Sequence, residues 1–424
     1  MKGRSGSIVP ATVPRRGLLL ATLFAAQVGG STGHSIGMAV GGIMAASITG
    51  NNRWIGIPVA LGAVGAALAS WPLSRFMGRF GRRPGLAIGY GLAVVGAVLG
   101  MAGVLTSSFV LFLVGMTLFG VSNTSNLLAR YAAADITPAA HRGRAMGLIV
   151  WGSTVGSILG PSLMKPAVSV GALLGLSPVG SAFLISVTGY LMSALLVEVF
   201  LRPDPLLIAR RLDAPAAGAS AVLARPLAAI ARDPRVRIAF GSLMAGQLVM
   251  IGTTSTSPVY LHDHGHQVGT IGLAVAMHLG GMYVASPLSG WLADRFGRGM
   301  MIAVGALVLL FAMAVAGLVP SRESGLVMLG LFLNGVGWNF AFVAASALLT
   351  DALSPAERAS IQGLADLVMG LLGAFGSAAG GFILGTLGFG TLNALGSVVI
   401  VAGLVVGIRH LPLAQRADLR EVRA

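Results

Sequence analysis

Apolar windows of about 20 residues or more recur along this chain of 424 residues, separated by short charged stretches. An α-helix rises about 1.5 Å per residue, so each window is long enough to cross a bilayer core of about 30 Å. Inside hydrocarbon every backbone N–H and C=O must find a partner within its own helix or within a closed barrel, which leaves few folds. The windows are too long for barrel strands of about 10 residues. The 62 glycines suit helices that approach one another closely. Only 10% of the residues are charged and the mean hydropathy is +0.86, whereas soluble domains carry about 25% charged residues. The chain is too poor in charge to cover a water-facing surface, and the fold class is an all-α membrane protein.

Hydropathy draws twelve spans: 17–48, 54–75, 84–106, 108–132, 145–168, 175–201, 237–260, 267–292, 299–319, 324–350, 359–386 and 388–410. The net charge of +15 raises nucleic acid as a partner. Its distribution argues against that: of 28 Lys and Arg, only Arg53, Lys165 and Arg322 fall on one side of the membrane. Such a bias sets orientation, so both termini and the central loop are expected in the cytoplasm. The basic stretch Lys2 to Arg16 precedes the first span without a convincing cleavage site and is read as a cytoplasmic leader. No cysteine is present, which excludes disulfides, thiolate metal sites and cysteine catalysis.

Between spans six and seven lies 202–236, rich in Ala, Pro and Arg. It is expected to act as a cytoplasmic linker between two six-helix bundles, 1–201 and 237–424. Its middle, Ala214 to Ser220, is flexible by composition, and 221–232 is a candidate for a short surface helix. The halves are related. Arg-Phe-Gly-Arg occurs at the end of span two (Arg79 to Arg82) and again at the end of span eight (Arg295 to Arg298), an offset of 216. The same offset carries Asn123 to Asn339, Arg142 to Arg358, Gly147 to Gly363 and Gly160 to Gly376. A duplicated unit with an even number of spans keeps its orientation, so the two bundles are parallel repeats.

Gly290-Trp-Leu-Ala-Asp294-Arg295-Phe-Gly297-Arg298 resembles the loop signature of the major facilitator superfamily. The resemblance implies that fold, transport by alternating access, and a latch holding the cytoplasmic side shut. Physically, an acid at a helix end can pair with arginines or with the positive N-terminus of a facing helix. Gly290 would permit close approach and Gly297 a tight turn. The first copy keeps Arg79, Gly81, Arg82 and Arg83 but has Ser74 and Gly78 where the pattern has Gly and Asp, so the latch is expected to be lopsided. Gly147, Gly156, Gly160 and Pro161 in span five resemble a signature of antiporters of this superfamily, although Met164-Lys165 replaces its trailing glycines. They read equally well as a face for helix packing. The proton-coupled drug-efflux branch carries an arginine in span four. The matching position here is Met116, which weighs against a standard drug/proton antiporter.

Ionisable residues inside spans are expensive and usually functional. Those read here are His34, Glu198, His278 and Asp366. Asp366 is the candidate for proton coupling, because burial favours the neutral form of a carboxyl group; its other reading is a partner for a loop arginine such as Arg298. Glu198 is expected to pair with Arg202. His278 and Met282 share a helix face, and with Met250 they offer a nitrogen-thioether set suited to Cu(I); core packing explains the methionines as well. His262, His264 and His266 could gather metal ions in a loop.

Met277 to Tyr283, Gly335 to Phe342 and Gln362 to Asp366 are similar to a bacterial branch containing copper-uptake and riboflavin-uptake transporters. In copper members a second span-seven methionine follows the first at +4, where this chain has Thr254.

In this fold spans one, four, seven and ten line the pathway. Gln27, His34, Asn123, Asn126, Trp151, Gln247, Thr253, Thr254, Trp338 and Asn339 are therefore candidates for substrate binding, together with His278 of span eight, with Asn123 facing Asn339 and the tryptophans stacking on a flat organic molecule. No phosphate-binding loop, serine triad or HExxH occurs, so neither ATP hydrolysis nor catalysis is expected, and no cofactor. The expectation is a monomeric secondary transporter of a small molecule in a bacterial inner membrane, coupled to protons. Copper import is the alternative. A non-transporting sensor is a second, for which the short C-terminal tail offers no regulatory domain.

Overall fold

The computed structural model describes residues 13, 15–51, 54, 56–178, 180–213, 225–318 and 324–421. Residues 1–12 and 14 of the leader, Arg53, Arg322 and the linker middle fall outside them. The spanning helices are α1 (Arg16–Thr49), α2 (Ile57–Phe80), α3 (Arg82–Leu105), α4 (Phe109–Asp135), α5 (Arg142–Ser162, bent by 51° into Met164–Leu173), α6 (Ala182–Phe200), α7 (Pro234–Asp263), α8 (Gly269–Phe296), α9 (Arg298–Leu318) and α10 (Ser324–Asp351). A last helical stretch, Pro355–Glu421, breaks at Gly388, where φ is 84°, and so forms α11 (355–387) and α12 (389–421). Each of the twelve expected spans falls on a helix; by length and apolarity ten stretches among the described residues qualify to cross a membrane, counting the bent α5 as one and 355–405 as one, and α1 is not among them.

Local chemistry sets several ends. Ser108 accepts from Leu111 N at the start of α4, and Asp233 accepts from Arg235 N ahead of Pro234 at the start of α7, the usual signals of a helix N-terminus. The turns after α2 and α8 pass through Gly81 (φ 107°) and Gly297 (φ 96°). Those conformations strain any residue with a Cβ, which accounts for the glycine in each copy of Arg-Phe-Gly-Arg.

Within each bundle the helices pack through buried apolar side chains, while Val110, Ile158, Leu173, Phe375 and Phe382 point outward. An apolar exterior of this extent suits lipid. The two bundles meet where α2 packs on α11 and α5 on α8. The helix ends near residues 80, 135, 142, 200, 234, 296, 351 and 355 share one face of the molecule with the linker, here termed the linker face. On it, Pro205–Asp213 forms a helix with Leu206, Ile208 and Ala209 buried. The expected surface helix within 221–232 is a single turn, Leu227–Ile230; the linker's longer helix lies earlier, where Leu206, Ala209 and Arg210 give it two faces.

Candidate functional site

Asp294 ends α8 with its side chain almost fully enclosed. Its oxygens accept from the backbone N–H of Gly143 (2.9 Å) and Arg144 (2.8 Å), the first residues of α5, and from Arg298 Nη1 (2.5 Å). A carboxylate of one bundle thus caps a helix of the other, where unpaired N–H groups and the helix dipole both favour a negative charge. Close approach makes this possible. A Cβ on Gly290 would be driven into the Gly143 carbonyl, and one on Gly147 into that of Ser286. In the first copy Gly78 faces Ala359 without a carboxylate, Ser74 Oγ donates to the Ala359 carbonyl, and Arg210 from the linker helix donates to the Gly78 carbonyl. Arg79 and Arg295 lie exposed, stacked near their own helices' aromatic rings, and take no part in the contact.

Around this cap lie two ion triads related by the 216-residue offset. Asp351 accepts from Arg142 Nη1 (2.6 Å) and Arg298 Nε (3.4 Å). Asp135 accepts from Arg82 Nε (2.9 Å) and Arg358 Nη1 (3.4 Å). In each triad one arginine belongs to the acid's own bundle and the other begins a helix of the opposite bundle. Arg142 Nε also donates to the carbonyls of Ala134 and Thr137, and Arg358 Nε to those of Thr350 and Leu353, again 216 residues apart. Cations on helix C-terminal carbonyls complement the dipole. Glu198 pairs with Arg202 at 2.9 Å, as expected, and also with Arg83 at 2.9 Å.

Deeper between the bundles, Asp366 of α11 accepts from Arg130 Nη2 of α4 at 2.7 Å, with both side chains at most 1% exposed. Its expected partner, Arg298, is held instead by Asp294 and Asp351. Arg130 is not among the intramembrane ionisable residues named from the sequence, although it lies inside span four in the run Leu128-Ala129-Arg130-Tyr131-Ala132. Its guanidinium lies between the rings of Tyr131 (4.2 Å) and Phe342 (4.4 Å). It also donates to Tyr131 Oη, Ser346 Oγ and the Leu127 carbonyl. Asp366 Oδ2 is buried with no hydrogen-bond partner.

Arg130 also closes the floor of a cavity between the bundles. One wall is polar and comes from the first bundle: Gln27, Ser31, His34, Asn123, Asn126 and Ser153. The other is aromatic and comes from the second: Tyr283, Trp338 and Phe342. The rings of Trp338 and Phe342 stack at 4.4 Å, and Trp338 Nε1 donates to Gln247 Oε1 of α7. His34 Nδ1 meets Ser122 Oγ at 3.1 Å.

Asn123 and Asn339 do not face each other. Asn339 is fully buried against α8, donating both N–H groups to the Met282 carbonyl and Ser286 Oγ and accepting from Ser289 Oγ, and it does not reach the cavity. Trp151 stacks on Phe24 at 5.8 Å, outside this cavity. Gly156 and Gly160 pack against the α1 backbone at Val28 and Thr32, and Pro161 lies at the end of α5 just before its bend.

His278 is buried with both nitrogens engaged: Nδ1 at 3.0 Å from the Leu331 carbonyl and Nε2 at 3.2 Å from Thr254 Oγ1. The carbonyl can only accept, so Nδ1 carries the proton and Nε2 accepts from the threonine. That tautomer leaves no nitrogen for a metal, and Thr254 is turned to His278 rather than to the cavity. Met250 and Met282 are buried in the apolar core. In the loop, His264 Nδ1 donates to the Tyr260 carbonyl, and His262 lies exposed beside Asp263. Among the described residues no three His, Asp or Glu side chains gather as a metal site.

The sequence profile of the Major Facilitator Superfamily matches residues 18–270 and 250–423. The chain is 31% identical over 402 residues to the uncharacterized MFS-type transporter YdeG of Bacillus subtilis, covering 93% of this chain and 92% of that protein. It is 28% identical over 408 residues to the riboflavin transporter RfnT of Brucella anthropi, covering 95% and 97%. Among solved structures, the human organic anion transporter MFSD10 has the same fold, with a TM-score of 0.71 at 16% identity over 93% of this chain and 100% of that one.

Proposed function

The chain belongs to the major facilitator superfamily of transporters, and from this premise we propose that it carries a flat organic molecule by alternating access, coupled to protons through Asp366. The linker face is the cytoplasmic face of a bacterial inner membrane, consistent with its arginines. The Asp294 cap and the two triads hold that face shut.

The Arg130–Asp366 pair carries the reading. It joins the two bundles, so opening the linker face must separate it. Parting a buried ion pair leaves an uncompensated charge, at a cost of about 3–5 kcal/mol. A proton on the unpartnered Oδ2 removes Asp366's charge and its hold on Arg130, whose guanidinium keeps the Leu127 carbonyl and the hydroxyl and ring of Tyr131 in its own bundle, so the pair parts at lower cost. The cavity above is built for an uncharged or weakly polar ring, with aromatic faces opposite hydrogen-bonding groups. The riboflavin named for RfnT is a flat heteroaromatic of this kind. The copper reading gains no support from the arrangement at His278.

Asp366→Asn is expected to abolish accumulation driven by a pH gradient in proteoliposomes while leaving substrate exchange without a gradient. Gradient-driven accumulation at the wild-type level in this variant would remove Asp366 from the coupling mechanism.

A further inference from the structure

We propose that Gln27 and Ser153 form a subsite that reads an adjacent N–H and C=O on the edge of the substrate's ring, the pattern of a lactam or imide. The inference rests on the reading of the cavity as the substrate site and narrows the class of molecule it takes.

The observation is an unspent pair. Gln27 on α1 is 3% exposed and lines the cavity. Its Nε2 donates to Ser153 Oγ at 2.8 Å, but its Oε1 is buried with no partner. A buried amide oxygen left unbonded costs about 1–3 kcal/mol, so it is an acceptor awaiting a donor. Ser153 Oγ also accepts from Ser31 Oγ at 3.3 Å. Two acceptances fill the hydroxyl's lone pairs and leave its O–H to donate.

The groups bonded to Ser31 and Ser153 direct their protons elsewhere. Tyr90 Oη donates to Asn126 Oδ1, Asn126 Nδ2 donates to Ser31 Oγ, and Ser31 donates to Ser153. The chain of hydrogen bonds runs toward Ser153 and ends there. What remains at Gln27 and Ser153 is one acceptor and one donor on two residues bonded to each other. Exchanging the two ends of the Gln27 amide preserves the complement: Oε1 then takes the Ser153 hydroxyl, while Nε2 and a serine lone pair remain.

A ring whose edge carries N–H beside C=O satisfies both groups at once. Its face would lie toward Trp338 and Phe342 of the other bundle, so one ligand would touch both bundles. A site built to bond an N–H rejects a ligand lacking it, because the buried acceptor stays unpaired.

The test uses lumiflavin, whose only ring N–H lies between two carbonyls, and its N3-methyl derivative, measured by equilibrium dialysis on the purified full chain. Wild type should bind lumiflavin about ten-fold more tightly than the methylated ring. Gln27→Leu should reduce that ratio to about one, and Gln27→Glu, which keeps an acceptor, should retain most of it. Trp338→Ala should weaken both ligands alike and keep the ratio. Equal binding of both rings by wild type, a preserved ratio in Gln27→Leu, or no binding of lumiflavin would each overturn the subsite. If both rings are bound equally and carried in a proton-dependent way, the transport reading stands and the edge-reading subsite alone falls.

Discussion

Arg130→Met is expected to be the most damaging single substitution between the bundles. It removes the cation from a carboxylate that is fully enclosed and has one oxygen already unbonded. Truncating one partner of a buried ion pair costs about 3–5 kcal/mol, which is a large part of the roughly 5–15 kcal/mol that holds a typical domain together. The purified variant should therefore melt well below wild type. The double variant Arg130→Met, Asp366→Leu leaves no charge behind and should regain most of the lost melting temperature. It should not regain gradient-driven accumulation, because the protonatable group is gone. A double variant as unstable as the single one would mean that Arg130 contributes by packing against Tyr131 and Phe342 rather than by its charge.

The second large effect is expected at the α5–α8 crossing. Gly290→Val places side-chain atoms where the Gly143 backbone sits, and backbone cannot yield as a flexible side chain can. The linker face should then fail to close and transport should be lost. Asp294→Ala removes three hydrogen bonds that cross or brace the same contact. Loss of a capping side chain is worth about 0.5–2 kcal/mol, enough to change an open-to-closed ratio several-fold. Gly78→Ala, at the position equivalent to Asp294, should do little, because a Cβ there meets only the Ala359 methyl at 3.3 Å. The distance between labels on cysteines introduced at Ala140 and Ala356 measures closure, since the chain has no other cysteine. Equal effects at positions 78 and 294 would contradict the lopsided latch.

The fold was legible because hydrocarbon imposes long apolar runs, and because the two copies of Arg-Phe-Gly-Arg fixed a repeat without gaps. The same offset reaches the triads: it carries Asp135 to Asp351, Arg82 to Arg298 and Arg142 to Arg358. Arg142 and Arg358 are recognisable as a pair from the chain alone, but each bonds an acid of the opposite bundle, a contact that the offset does not encode. The Arg130–Asp366 pair was out of reach of that reasoning. The positions matching them in the other half are Ser346 and Val150, so the repeat is silent about an interaction that exists once. Asn339 failed for a related reason. Its position matches Asn123, yet Met282, Ser286 and Ser289 of α8 supply partners that consume its amide. Repeats preserve backbone position better than they preserve which neighbour a side chain meets.

The central claim is that a proton on Asp366 lets the linker face open. It is tested most directly by the distance between spin labels at Ala140→Cys and Ala356→Cys, exposed and equivalent positions, one just ahead of α5 and the other in the first turn of α11. In wild type at alkaline pH the labels should show one short distance. Acidic pH, or Asp366→Asn at alkaline pH, should populate a second, longer distance. Identical distance distributions in wild type at both pH values and in Asp366→Asn would contradict the account.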